Sequence, residues 1–100
     1  MKVIWSPTAI ADLEAIAEYI AQDRPQAAWR LLQRFRLRTR RLAQHPRLGR
    51  VVPEWEAEDI RELIEAGHRI IYQILPRRIE IVTVLDGRRC LPPTPSDLRR

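Results

Sequence analysis

The most constraining stretch of the chain is IRELIEAGHRIIYQILPRRIEIVTVL, residues 60–85. Runs rich in isoleucine and valine are separated only by Ala66-Gly67 and by Pro76-Arg77-Arg78. β-Branched runs broken at Gly or Pro read as strands, expected here over 59–65, 69–75 and 79–85. Connections of two or three residues leave no room for a crossover, so neighbouring strands must run antiparallel. The last two strands carry few polar residues, so both of their faces must be at least partly covered. A bare meander cannot supply that cover, and the rest of the chain has to.

The cover lies upstream. Residues 2–5 (KVIW) are a short apolar run of strand type. Ser6 stands as an N-cap with Pro7 at the first helical position, where its missing N–H costs nothing. Ala9, Leu13, Ile16, Ala17, Ile20 and Ala21 then recur at helical spacing to about residue 22, with Asp12, Glu14 and Glu18 on the other side. Asp23-Arg24-Pro25 repeats the start signal, with Asp23 or Arg24 as the cap. A second helix is expected over 25–44, ending before Pro46, with Ala28, Leu31, Leu32, Phe35, Leu42 and Ala43 as its apolar stripe. The short connection forces the two helices into an antiparallel hairpin. Residues 44–55, QHPRLGRVVPEW, are turn chemistry. The expected fold is α+β in the order β-α-α-β-β-β, a helical hairpin packed on one face of a small, mainly antiparallel sheet.

A chain of 100 residues makes one domain, here 1–89. After Gly87 the segment RRCLPPTPSDLRR has three prolines and a Thr-Pro-Ser run, so 90–100 read as a Pro-rich basic tail without regular structure. No run of about 18 apolar residues is available to span a membrane. The N-terminus is interrupted too soon, at Ser6-Pro7, for a signal peptide. Cys90 is the only cysteine, so no internal disulfide forms, and no Cys/His cluster offers a zinc site. Neither a metal nor a cofactor is expected, and a reducing cytoplasm is the expected location.

Charge is strongly segregated. Nine arginines and no acid lie between Arg24 and Pro53, whereas six acids and one arginine lie between Glu54 and Glu65. So one-sided a block is an electrostatic footprint for nucleic acid or an acidic polypeptide, and a merely solvated helix face would have to tolerate its self-repulsion. Arg accounts for every basic residue except Lys2, which suits bidentate contacts to carboxylate or phosphate. The acceptor could equally be DNA, RNA or protein.

Several strings together resemble a known superfamily. They are VIWSPTAIADLEAIAEYIAQDRPQAA, LAQHPRLGRVVPE, IRELIEAGHRIIYQI and IEIVTVLDGRR, covering roughly residues 3–89. The ordered set Pro46-x-x-Gly49-Arg50, Arg61-Glu62-Leu63 and Arg69-Ile70-Ile71-Tyr72 resembles the RelE/ParE superfamily of bacterial type II toxin–antitoxin toxins, closest to its ParE branch. The resemblance implies a toxin held in a hetero-oligomer with a cognate antitoxin protein. It leaves two targets. ParE-like members act on DNA gyrase, whereas RelE-like members cleave mRNA on the ribosome.

Metal-independent RNA cleavage needs a base for the 2′-hydroxyl, an acid for the leaving oxygen and cations over the phosphate. Arg61, Arg69 and Arg88 or Arg89 stand where the nucleases carry positive charge. Acid–base partners are missing: after Arg89 there is no His, Tyr or Lys, and Asp86 stands where many relatives have histidine. If the chain were a nuclease, His68, Arg69 and Arg89 would be its catalytic set. His68 reads more simply as a turn residue, Tyr72 as core, Cys90 as a bystander and His45 as a helix-terminal residue. The sequence therefore favours binding over catalysis. Arg61, Arg69, Arg88 and Arg89 are the expected anion contacts for the antitoxin's carboxylates. Trp29, Arg30, Arg34, Arg38 and Arg41 are the expected surface for the target, DNA gyrase or gyrase on DNA, although Trp29 could instead be half-buried beside Leu32. Trp55 is open between a structural staple and a partner contact.

Overall fold

The computed structural model describes residues 1–88 and 91–99. Its elements are β1 (Lys2–Trp5), α1 (Pro7–Ala21), α2 (Pro25–Arg40) with a 3-10 turn at Arg41–Ala43, β2 (Arg50–Val51), β3 (Ile60–Glu65), β4 (His68–Ile74), β5 (Arg78–Asp86) and a second 3-10 turn at Pro95–Arg99. The five strands form one mixed sheet in the order β1-β5-β4-β3-β2. β1 runs parallel to β5, and the other pairings are antiparallel. The α+β class, the helical hairpin and the antiparallel meander are those expected from the sequence.

Four local features differ. β2 went unforeseen, because two residues carry no readable period, yet it pairs Arg50 with Glu62 and Val51 with Arg61. α2 stops at Arg40 rather than Gln44, and its last turn tightens to 3-10 as Leu42 is drawn into the core. His68 is not in the turn; it opens β4 opposite Glu65. The tail contains a 3-10 turn where irregular chain was expected.

Each helix begins where its proline allows. The Ser6 hydroxyl accepts the Ala9 N–H at 3.0 Å, whereas α2 is capped by the Arg24 backbone with no side-chain bond. Ala9 and Leu13 of α1 and Leu31 and Phe35 of α2 close on Leu63, Ile70, Tyr72, Ile79, Ile81 and Val84. β1 ends at Trp5 opposite Ile81, which leaves the far half of β5 without a strand neighbour on that side. Polar groups of α1 take its place. Ser6 donates to the Val82 carbonyl at 2.8 Å, and Asp12 accepts the Thr83 hydroxyl and the Val84 N–H. Asp12 thus faces the sheet rather than sharing the outer face with Glu14 and Glu18. A bulge accompanies this arrangement: Ile71 pairs with Thr83 and Tyr72 with Ile81, leaving Val82 as the extra residue of β5.

The second sheet face is covered as well. Ile71 and Val52 are fully buried although neither belongs to the helix-packed core. Trp55 fastens the tail there, its indole N–H donating to the Pro92 carbonyl at 3.0 Å. The 3-10 turn that follows touches β5. Trp55 is therefore a staple within the chain.

The β3–β4 turn has two residues, and both have positive φ: 52° at Ala66 and 78° at Gly67. That is the primed geometry whose twist matches a hairpin. Gly67 adopts it freely, but Ala66 does so against the steric preference of an L-residue. Ala66→Asn should therefore stabilise the chain by up to ~1 kcal/mol, read as a rise in the thermal midpoint.

Candidate partner-binding site

The sheet arginines were expected to form one anion site. The structure separates them and gives each its own acceptors. Side chains one apart on a strand point to opposite faces. Arg61, level with Tyr72, lies on the helix-packed face, while Glu62 and Arg69 lie on the other.

On that other face a chain of ion pairs runs Arg50–Glu62–Arg69–Glu54. Arg69 Nε donates to Glu62 Oε1 at 2.5 Å, and its two terminal nitrogens hold Glu54 bidentately at 2.7 and 2.9 Å. Arg50 Nε takes the second Glu62 oxygen at 2.8 Å. The Glu62 side chain is completely buried and that of Arg69 is 7% exposed, so this guanidinium neutralises a carboxylate in the interior. Its two carboxylate partners raise its pKa further above the ordinary arginine range. Arg61 is equally engaged. It donates to the Glu58 carbonyl at 3.1 Å, the Gly49 carbonyl at 3.0 Å and the Glu58 carboxylate at 3.0 Å.

The Pro46-x-x-Gly49 string is explained by a buried tyrosine. Tyr72 Oη donates to the Pro46 carbonyl at 2.7 Å and accepts the Gly49 N–H at 2.9 Å. Burial pushes its pKa up, which keeps the phenol neutral and able to donate. Tyr72 is core, as the sequence suggested.

His68 and Arg69 are brought to opposite faces. The His68 ring meets Phe35 of α2 edge-on, with ring centroids 5.8 Å apart, and its Nδ1 lies 3.0 Å from the Ala66 carbonyl. Asp86 is its cross-strand neighbour. Asp86 accepts the Arg88 N–H at 2.9 Å, and that bond holds its carboxyl below the usual range. The Arg88 side chain is 93% exposed and approaches Asp86 at 3.5 Å. Arg89, assigned above to both the anion and the nuclease sets, and Cys90 lie outside the described residues. Among the described residues no cluster of His, Cys, Asp and Glu could hold a metal ion, and no helix is long and apolar enough to cross a membrane.

The remaining candidates sit on α2 and, for Arg41, on the 3-10 turn that follows it. Arg34 and Arg38 converge on Glu65 at the end of β3, at 2.7 and 3.2 Å, which ties the helix to the sheet. Arg30, Arg36, Arg40 and Arg41 make no ion pair with another described residue, and Trp29 is 62% exposed rather than half-buried. Trp29, Leu37 and Arg41 are exposed and follow at multiples of four residues, with half-buried Gln33 between them and exposed Arg30, Arg36 and Arg40 beside them. Leu37, at 59% exposure, is exposed on the same helix and was not among the residues singled out from the sequence. Its absence from the buried stripe of α2 was the available signal.

Glu54 gives a pH prediction. Its hydrogen bonds from Arg69 are the main cause that holds its carboxyl below the ordinary value of 4.5. A depressed carboxylate contributes stability that is present above the unfolded pKa and lost as pH falls through the folded one. Urea midpoints of the wild type should therefore fall below about pH 4.5, and in Glu54→Gln this acid limb should be shallower.

This architecture, a helical hairpin over a five-stranded mixed sheet with its polar network turned inward, is that of a small two-layer α+β domain. Residues 3–90 match the family described as ParE toxin of the type II toxin–antitoxin system, parDE. The chain belongs to that family, within the RelE/ParE superfamily. It is 33% identical over 89 residues to Toxin RelE2 of Caulobacter vibrioides (strain ATCC 19089 / CIP 103742 / CB 15), covering 88% of this chain and 97% of that protein. It shares its fold with the structure titled Chromosomal ParDE TA system from P. aeruginosa, with a TM-score of 0.72, 24% identity and coverage of 86% and 95%.

Proposed function

We propose that this toxin acts by binding DNA gyrase, alone or on DNA, in the cytoplasm, and that a cognate antitoxin neutralises it in a hetero-oligomer. The observation that carries the reading is the fate of the sheet arginines. Arg61 and Arg69 are consumed by Glu58, Glu62 and Glu54; the carboxylates beside Arg69 are spent on ion pairs with it, and His68 faces Phe35 on the other side of the sheet. Phosphoryl-transfer chemistry needs a cation and a base converging on one atom, and these residues diverge. Binding needs only surface, which α2 and the 3-10 turn after it offer through Trp29, Arg30 and Arg41, with Arg34 and Arg38 anchoring the helix from its flank. The antitoxin follows from family membership and from the ParDE title of the structure that shares the fold. Arg88, which follows β5, and Arg89, next to it in the sequence, are the proposed contacts for its carboxylates; Arg61 and Arg69 would serve there only by exchanging internal partners.

The name RelE2 carried by the Caulobacter relative favours ribosome-dependent mRNA cleavage as the second reading. One experiment separates them. The chain freed of its antitoxin is assayed on gyrase with plasmid DNA and, in parallel, on translating ribosomes with labelled mRNA. Blocked supercoiling or accumulated cleaved DNA with intact mRNA is expected. Codon-positioned mRNA cleavage would overturn the proposal and make His68 and Arg69 the first residues to substitute.

A further inference from the structure

We propose that Arg36, Arg40, Arg41 and Arg47 form a track for the phosphate backbone of duplex DNA, so that this toxin meets gyrase where the enzyme holds its DNA. The proposal deepens the gyrase reading and rests on it for the choice of DNA over RNA. Arg36 and Arg40 stand one turn apart on α2. Arg40 and Arg41 line one surface hollow together with Val3 and Leu37, and Arg41 lines a second with His45 and Arg47. Arg41 belongs to both hollows, so the four arginines follow one another from the end of α2 across residues 41–47.

These cations are available to a ligand. Arg36, Arg40 and Arg41 are exposed and make no ion pair with another described residue. Arg47 lies 3.4 Å from the Glu58 carboxylate, with the two side chains 72% and 76% exposed. An exposed pair of that kind contributes little. Arg61 holds the same carboxylate more closely, at 3.0 Å, so a phosphate can take Arg47 and leave the Arg61–Glu58 pair in place. The dipole of α2 favours cations at its C-terminal end, but the effect falls off within the last turn. It accounts for Arg40 and Arg41 and leaves Arg36 and Arg47 without a role.

Shape and charge spacing identify the ligand. Both hollows lie wide open to solvent, whereas a small-molecule site encloses most of its ligand, so a polymer crossing the surface fits them better. Arg36, Arg40 and Arg41 place three charges within about 8 Å of helical rise. A DNA strand presents one phosphate per ~3.4 Å of axis and the duplex one per ~1.7 Å, so two or more phosphates fall within that length. An extended acidic polypeptide turns a side chain to one face only at every second residue, about 6.7 Å apart, and leaves part of the charge unmatched. The guanidinium fork also suits a pair of phosphate oxygens. Trp29, at the other end of α2, is left for the enzyme itself.

Fluorescence anisotropy of a short labelled DNA duplex, titrated with the antitoxin-free chain over a range of salt, tests this. Binding independent of base sequence is expected, with a dissociation constant of roughly 10⁻⁴–10⁻⁶ M at physiological salt. Four phosphate contacts give a slope of log affinity on log salt of about −3.6. Arg40→Gln with Arg41→Gln should halve it, to about −1.8. Arg24→Gln with Arg77→Gln removes the same net charge at the helix connection and at the β4–β5 turn, and should leave the slope unchanged. Far-UV circular dichroism reports that both double variants fold. Absence of binding in low salt overturns the proposal, as does a slope that falls equally in the two double variants. Tighter binding of single-stranded RNA of equal length overturns it too. So does displacement of the duplex by polyglutamate at matched charge, which would assign the track to an acidic protein. No gyrase is present in the measurement, so its failure leaves a gyrase contact through protein alone standing. Unimpeded supercoiling in the gyrase assay, with duplex binding intact, would strike the gyrase reading and leave the DNA contact.

Discussion

Replacement of Arg69 by alanine should destabilise the chain by about 3–5 kcal/mol, the cost of leaving one partner of a buried ion pair uncompensated. Glu62 would remain in the interior with its side chain wholly out of solvent. Arg50, still bound to Glu62 Oε2 at 2.8 Å, should hold the loss toward the lower end of that range. Glu54 would also lose its bidentate partner, but it is 43% exposed and water can take over. A contrast isolates the mechanism. The double variant Arg69→Met with Glu62→Gln removes both buried charges together and should be markedly less damaging than Arg69→Ala alone. Urea denaturation of both, at constant m-value, measures the difference. Equal losses would mean that Arg69 matters for packing rather than for neutralising Glu62. The outcome bears on function too, because an arginine required for folding is poorly available to a substrate phosphate.

Gly49→Ala is the second large effect. A Cβ at this position would lie 2.5 Å from the Glu62 carbonyl oxygen and 2.8 Å from both Cε1 and Oη of Tyr72. The carbonyl belongs to β3 and cannot retreat without opening the β2–β3 pairing, and Tyr72 is fixed by its bond to Pro46. Forcing a methyl into a packed site costs about 1–3 kcal/mol. Here the upper end is expected, a fall in thermal midpoint of roughly 4–8 °C per kcal/mol for a domain of this size. Tyr72→Phe relieves the clash with the hydroxyl but leaves the Gly49 N–H and the Pro46 carbonyl without their partner, itself about 1–3 kcal/mol. Because both changes act through one hydroxyl, the double variant should cost less than the sum. Additivity would show that the backbone contact with Glu62, and not Tyr72, dominates at Gly49.

These cases show what was legible before the fold was known. Gly49 stood out as part of an ordered string, but the reason for a glycine was invisible, since Glu62 and Tyr72 reach it from strands 13 and 23 residues away along the chain. The basic face of α2 was legible, because helical spacing separates Arg30 from Leu31 and Phe35, but spacing left Trp29 open between that face and half-burial beside Leu32. The sheet arginines were not. Arg61 and Arg69 share one residue type and neighbouring strands, and composition suggested a single anion site. Their opposite faces depend on strand register, where a shift of one residue exchanges every side chain between the two sides. His68 is the same error in miniature: one position earlier in β4 turns it from a neighbour of Arg69 into a neighbour of Phe35.

By itself the amino-acid sequence determined the helical hairpin, the meander and the place where the positive charge accumulates. Each of these rests on interactions within a few residues: a cap before a proline, a period of apolar side chains, a turn too short for a crossover. The tertiary structure alone decided which arginines remain open to a partner. Guanidinium groups take the nearest carboxylate in space, and β2, the Trp55 staple and the cross-strand register brought Glu54, Glu58 and Glu62 to Arg61 and Arg69 while leaving Arg30, Arg36, Arg40 and Arg41 facing solvent. Proximity of that kind is a property of the closed sheet, and no local pattern encodes it.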